Sequence, residues 1–313
     1  MSGLILVAGE ALVDLIPEGT AEAPLFRPVL GGSPFNVALA LARLGAPSAY
    51  AGRLSLDAMG ERFAGALGAA GVDLSLAVRD ARPSPLALVT RDGDGSASYG
   101  FYLAGTAYDG EAPLGGPWPD GVAHLHVGSF AALDERHGPA TLKALSAFAG
   151  TGSTSYDPNI RPALMPGRAE TLRRVTARVG LAGVVKASEE DLAWLYPGRD
   201  PLDAAHSWSL LGPRLTVVTR GAAGAVAFAA GKAVAVPAPA VAVADTVGAG
   251  DCFMAALLAA MHRDGALVAG AEPPTRVAVV RWLTFAVAAA AIVCARQGAD
   301  PPLLAEVERA LAA

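Results

Sequence analysis

The sequence predicts an α/β fold built on a largely parallel sheet, and three observations point to it. Strand-like and helix-like segments alternate over most of the chain. The strand-like runs are continuously apolar, as expected of strands covered on both faces. No internal repeat and no linker interrupts the pattern, so the 313 residues read as one domain spanning 1–313. With 53% hydrophobic and 17% charged residues, the chain can bury a large core and is not generally disordered.

Leu4-Ile5-Leu6-Val7 is the first buried strand. Ser33 suits an N-cap with Pro34 at the first helical position; Val37, Leu41 and Leu44 follow at helical spacing, and Gly45 stops the helix. A second helix starts at Asp57, carries Phe63 and Leu67, and ends at Gly71. Val122–Val127, Ser153–Tyr156, Val184–Lys186 and Leu215–Thr219 are further central strands. Residues 85–107 depart from this pattern. Leu86–Thr90 and Ser98–Tyr102 flank Asp92-Gly93-Asp94-Gly95, a hairpin signal, and predict with residues 12–30 a small lid beside the main sheet. The apolar run Leu283–Ala295 is too short to cross a bilayer and predicts a buried helix.

Composition also excludes some functions. A net charge of -5 leaves no basic footprint for nucleic acid, so no nucleic-acid partner and no membrane partner is expected. The first residues carry no basic signal-peptide region, and Cys252 and Cys294 give no disulfide framework, which suits a reducing cytoplasm. His124 and His126 alternate on a strand and share a face, but no third metal ligand accompanies them; a structural role is expected.

The most informative segment is Asp245-Thr246-Val247-Gly248-Ala249-Gly250-Asp251, which runs into an apolar helix beginning Cys252-Phe253-Met254. Its glycines allow a tight turn with exposed amides at the positive end of that helix, a ready anion site. A carboxylate there has two readings. Asp251 can take the proton of a hydroxyl that attacks a phosphoryl group held by the turn, or it can simply favour the helix N-terminus. Neither a GxxxxGK[ST] nor a GxGxxG loop is present, so this turn is the best candidate for handling phosphate.

Asp245 to Asp251 resembles the C-terminal signature of the ribokinase-like (PfkB) sugar kinases. Gly31-Gly32-Ser33-Pro34-Phe35-Asn36 and the residues on to Gly45 resemble the N-terminal one. The two stand about 200 residues apart in the family's order, and the likeness extends over essentially the whole chain. The resemblance implies a three-layer α/β/α fold with a mostly parallel central sheet and a small β-lid that closes over the sugar. It implies Asp251 as catalytic base and the Gly248, Ala249 and Gly250 backbone as anion hole. Asp14, Gly31, Gly32 and Asn36 match sugar-contacting positions; the plainer reading is a capped turn and a solvated acid. A carboxylate and an amide can hold several hydroxyls at once, and glycine lets a sugar lie against the backbone.

Thr219-Arg220-Gly221-Ala222-Ala223-Gly224 resembles the family's nucleotide loop, with Thr219, Gly221 and Gly224 as contacts. In Lys186-Ala187-Ser188-Glu189-Glu190-Asp191, Ser188 stands where relatives have asparagine, and Asp191 where they have the glutamate concerned with magnesium. The shorter Asp191 can hold metal through water, with Glu190 as substitute, or merely close a capping arrangement. Val287 replaces a common asparagine beside the base, which loosens preference for ATP over GTP. The resemblance implies Mg2+ with ATP, and it leaves open a monovalent cation such as K+ and a homodimer through the lid.

Gly9-Glu10-Ala11-Leu12-Val13-Asp14, His126-Val127-Gly128-Ser129 and Asp157-Pro158-Asn159-Ile160-Arg161-Pro162 resemble fructokinases within the family. Arg161 ends a strand and suits phosphate or the sugar, or is a surface arginine beside a proline turn. D-Fructose, giving fructose 6-phosphate, is the expected acceptor, ahead of 2-keto-3-deoxygluconate. Leu103 stands where relatives carry a lid arginine, which disfavours the acid, while Arg27 could substitute. A non-catalytic sugar-binding relative would have no need of Asp251 beside an intact glycine turn.

Overall fold

The computed structural model describes residues 3–19, 23–91, 97–116, 118 and 121–312. From the N-terminus the elements are β1 (Leu4–Ala8), β2 (Leu12–Gly19), β3 (Pro24–Gly31), α1 (Ser33–Arg43), β4 (Ser48–Ala51) and β5 (Arg53–Ser55). Next come α2 (Ala58–Ala69), β6 (Val78–Asp80), β7 (Leu86–Arg91), β8 (Ala97–Tyr102), β9 (Val122–Gly128) and α3 (Gly138–Ala149). Then follow β10 (Ser153–Asp157), α4 (Arg168–Val179), β11 (Val184–Ser188), α5 (Glu189–Leu195), α6 (Pro201–Ser209) and β12 (Leu215–Thr219). The chain ends with β13 (Ala225–Ala229), β14 (Lys232–Val236), α7 (Ala249–Arg263), α8 (Arg276–Cys294) and α9 (Leu304–Ala312).

Eight strands form the central sheet in the order β14-β13-β12-β11-β10-β9-β1-β4. The six from β12 to β4 are parallel, and β13 and β14 continue the edge antiparallel. Continuous apolar runs are what two covered faces require. Ile5 and Val7 join a core with α1, α7 and α8, whereas Leu6 and Ala8 join a second core with α3, α4, α5 and α6. Three layers, α/β/α, result.

A second sheet has the order β3-β2-β7-β8, and β3 leads directly into α1. Residues 92–95 of the expected hairpin turn lie outside the described residues, but β7 and β8 on either side pair antiparallel, Leu86 opposite Tyr102.

Three local expectations need correction. Ser33 is not the N-cap of α1: Gly32 is, at φ 101, and Ser33 is the first helical residue with Pro34 after it. The Ser33 hydroxyl is bonded across the fold to Asp251, a partner that local capping rules cannot foresee. Arg161 does not end a strand, since β10 stops at Asp157 and Arg161 lies in the loop beyond. The apolar helix is also longer than its sequence run: α8 starts at Arg276 and, at 19 residues, is long and apolar enough to span a bilayer. Val279, Trp282, Leu283, Phe285, Ala286 and Ala289 are buried in the core, as in the core helix of a globular domain.

Candidate active site

The parallel strands β1, β9, β10, β11 and β12 all end on the same side of the sheet, where open α/β folds bind ligands. Asp251 enters that region from the first turn of α7. Gly248 caps the helix at φ 76, a left-handed conformation that a side chain would strain, and a Cβ there would lie 2.5 Å from the Ala299 Cβ. The Asp245 carboxylate pins the turn by accepting hydrogen bonds from the amides of Val247 (3.1 Å) and Gly298 (2.9 Å). The Ala249 amide donates back to the Thr246 carbonyl at 3.2 Å, and the amides of Gly250 and Asp251 follow at the helix N-terminus, where an anion is favoured.

Asp251 is buried and held by three neutral donors. Its Oδ1 accepts from the Ser33 hydroxyl at 2.6 Å and from Asn159 Nδ2 at 3.3 Å. Its Oδ2 accepts from Asn36 Nδ2 at 2.8 Å, while Asn36 Oδ1 is buried without a partner among the described residues. Three segments that are distant in sequence therefore meet at one carboxylate: α1, the loop after β10 and α7 itself.

On one side of Asp251 lie the residues expected to meet sugar. A Cβ on Gly31 would stand 2.2 Å from Asp14 Oδ2, and one on Gly32 would stand 2.7 Å from the Glu10 carbonyl oxygen. Gly32, at φ 101 and against backbone, is required by close approach, whereas a side chain at Gly31 would displace only the end of the Asp14 side chain. Burial raises the Asp14 carboxyl to about 6, opposed by Arg161 and reinforced by Asp251. Burial also raises Glu10 to about 7; the Ser129 hydroxyl and Arg161 oppose the rise, and Asp251 adds to it. Both Glu10 carboxyl oxygens are buried, and the Ser129 hydroxyl lies beside them without closing a well-formed hydrogen bond. Arg161 thus faces two acids, and its Nη1 donates to Asn159 Oδ1 at 2.8 Å.

On the other side opens a cavity of about 720 Å³. Ser188, Glu190, Asp191, Thr219, Gly221, Gly224, Ala249 and Gly250 line it, so the residues expected at nucleotide meet in one wall except Gly248, which packs against Ala299 outside it. Away from the phosphate-binding turn the wall is apolar, with Phe253, Val241, Val243 and Val287. Asp191 is held as a helix cap. Its oxygens accept from the amides of Ile160 (2.7 Å) and Ser188 (2.9 Å), and its own amide donates to the Ser188 hydroxyl oxygen, closing a capping box. A carboxylate one methylene shorter than glutamate stays at its own helix end, which leaves the exposed Glu190 facing the cavity.

Sequence reasoning missed Ser33, Asn159, Asp157, Lys186 and Glu10 as parts of this site. Asp157 to Arg161 carried a usable signal, because every polar side chain of that motif is wired here: Asp157 to Lys186, Asn159 to Asp251, Arg161 to Asn159. His124 and His126 share Ser155 as a partner at 2.7 and 2.9 Å inside the sheet, and burial lowers His126 to about 3, so it is a neutral structural group.

The pfkB family carbohydrate kinase profile matches residues 2–306. A fructokinase of Rhizobium leguminosarum bv. trifolii is 38% identical over 270 residues, covering 84% of this chain and 81% of the relative. The solved fructokinase of Xylella fastidiosa with bound ATP has a TM-score of 0.85 at 27% identity, covering 100% of this chain and 99% of the other. The Vibrio cholerae O395 fructokinase in its fructose-, ADP- and calcium-bound form also gives 0.85, at 29% identity and 99% coverage of both chains. Profile, relative and folds agree: the chain belongs to the pfkB family of carbohydrate kinases, phosphotransferases with a sugar hydroxyl as acceptor.

Proposed function

We propose that the protein transfers the γ-phosphoryl group of ATP to the terminal hydroxyl of D-fructose, giving fructose 6-phosphate. The observation that carries this reading is the position of Asp251, buried between the Asp14–Asn36 side and the cavity of about 720 Å³. Ser33, Asn36 and Asn159 fix its carboxylate so that it accepts the proton of the attacking hydroxyl. The amides of Gly250 and its neighbours at the α7 N-terminus hold the phosphoryl group as charge builds on its oxygens. Asp14, Asn36 Oδ1 and the backbone at Gly31 and Gly32 receive the remaining hydroxyls. Thr219, Gly221, Gly224 and Ser188 border the nucleotide. Ala249 and Gly250 open onto the cavity at the N-terminal end of α7, an arrangement that suits a phosphate and the metal it carries. Mg2+ arriving with ATP would neutralise phosphate charge, and Glu190 would hold it through water.

Fructose is preferred to a sugar acid because the cations that could pair with a carboxylate are engaged. Arg27 is ion-paired with Glu18 at 2.6 Å, Arg161 donates to Asn159 in the field of Glu10 and Asp14, and Leu103 packs on an apolar cluster with Phe101. An unpaired buried carboxylate is costly. The reading extends to a cytoplasmic enzyme, a homodimer through the lid sheet and activity dependent on a monovalent cation, checked by fractionation, light scattering and replacement of K+ by choline. Steady-state kinetics on fructose, ribose, 2-keto-3-deoxygluconate and adenosine test the acceptor. Fructose should give the highest kcat/KM; a higher value for the keto acid would overturn the argument from Leu103.

A further inference from the structure

Lys186 is 3% exposed and sits on β11, two residues before Ser188. Its ammonium donates to Asp157 Oδ2 at 2.9 Å, while Asp157 Oδ1 is buried without a partner among the described residues. A Cβ placed on Gly250 would lie 3.1 Å from the same Nζ. The ammonium therefore stands between Asp157 and the backbone of the phosphate-binding turn. Burial alone would lower the Lys186 pKa, but Asp157, Asp191 and Asp251 outweigh it and hold it above its ordinary value, so Lys186 stays charged.

The rest of the cavity wall makes this placement informative. Among the described residues lining the cavity, Lys186 is the only lysine or arginine. Arg220, at the mouth of the nucleotide loop, is ion-paired with Glu189 at 2.7 Å. A triphosphate entering this acidic protein meets Glu190 and Asp191 in the cavity wall, and one buried cation. A merely structural ion pair would be equally stable with both partners replaced by apolar groups, and it would not need to lie against the anion-binding turn.

We propose that Lys186 is a catalytic residue whose ammonium contacts the transferring phosphoryl group, and that Asp157 is the positioning residue that holds it beside Gly250. This rests on the phosphotransfer reading given above. The sugar hydroxyl gives its proton to Asp251 as the sugar oxygen–phosphorus bond forms. The bond from the γ-phosphorus to the β–γ bridging oxygen breaks, and its electron pair leaves with ADP. Lys186 keeps its proton throughout and donates a hydrogen bond to a non-bridging oxygen, which carries more charge as the transfer proceeds.

The test compares Lys186→Met, Asp157→Asn and the double variant with the unaltered protein. Kinetics are measured at saturating sugar and ATP; binding of ADP and of a non-hydrolysable ATP analogue is measured by calorimetry. Lys186→Met should lower kcat by roughly 10²- to 10³-fold, the range for loss of one preorganised donor. The double variant, which leaves no buried charge unpaired, keeps the comparison valid if the single variant folds poorly, and it should lose kcat to the same extent. Asp157→Asn, which keeps the lysine, should lower kcat by less than about tenfold. ADP affinity should stay within about threefold in the double variant, while any preference for the triphosphate analogue disappears. Turnover above a tenth of normal in the double variant would overturn the proposal, as would an equal loss in Asp157→Asn and Lys186→Met. If the unaltered protein phosphorylated no sugar, the phosphotransfer reading would fall by itself, and an unchanged preference for the triphosphate analogue in the double variant would count against Lys186.

Discussion

The two sides of Asp251 are built by different means. Toward the second sheet the wall is crowded with charged and polar side chains: Asp14, Glu10, Asn36, Asn159 and Arg161, several held against one another. Toward β11 and β12 the wall is a cavity of about 720 Å³, bounded by glycine turns and apolar residues with a few polar ones, among them Ser188, Glu190, Asp191 and Thr219, and one lysine. The crowded side can distinguish ligands by which hydroxyls satisfy its buried groups, because leaving such a group unpaired is costly. The open side offers backbone, shape and a single cation, means that hold any triphosphate well and distinguish bases poorly. Selection among substrates and handling of phosphate are thus divided by one carboxylate, which serves both.

Removing that shared carboxylate is the largest expected effect. Asp251→Asn should lower kcat by roughly 10²- to 10⁴-fold, the range for loss of a general base. Sugar and ATP affinities should change far less, since Ser33, Asn36 and the turn stay in place; retention of more than about a tenth of the turnover would show that Asp251 only caps α7.

The cost of crowding is expected to be visible in stability. Glu10 ionises near 4.5 in an unfolded chain but is raised to about 7 by burial in the fold. The folded protein therefore binds this proton more tightly, so the associated stability is present below pH 4.5 and is lost as pH rises through about 7. A shift of this size corresponds to ~3 kcal/mol. Glu10→Gln should flatten the fall in denaturant midpoint across that interval relative to the unaltered protein. An identical pH slope in the two would mean that Glu10 is ionised in the fold.

On the crowded side, Asp14→Ala should raise the KM for sugar by roughly 10- to 100-fold, corresponding to about 1–3 kcal/mol for hydroxyls left without a partner. The KM for ATP should not move, and a rise in both would erase the division between the compartments.

The smallest effect belongs to the open side. Because the base end of the cavity presents Phe253, Val241, Val243 and Val287, replacing ATP by GTP should lower kcat/KM by less than about 10²-fold. A larger ratio, measured at saturating sugar, would show that backbone groups around residues 238–243 read the base.

Much of this was legible in the sequence where chemistry is local. Apolar runs such as Leu4–Val7 and Leu215–Thr219 announce covered strands because burial on both faces leaves no polar position. The Gly248–Asp251 turn announces an anion site because a left-handed residue and a helix start are written in adjacent positions. Asp57 capping α2 through the amides of Met59 and Gly60 is likewise a contact between near neighbours.

What tertiary structure decided are the assignments for which local and distant partners compete. Ser33 has every local feature of an N-cap, yet its hydroxyl goes to Asp251, 218 residues away. Asp191 stands where a metal-directed acid is expected, yet it closes its own helix and takes the Ile160 amide from β10's loop. Lys186 reads as the end of a strand until β10 and α7 bring Asp157 and Gly250 to it. Sequence fixes which groups a residue carries and what its neighbours within a turn can do with them. The choice between a near partner and a far one is made by packing, which alone sets the distances over which hydrogen bonds and charges act.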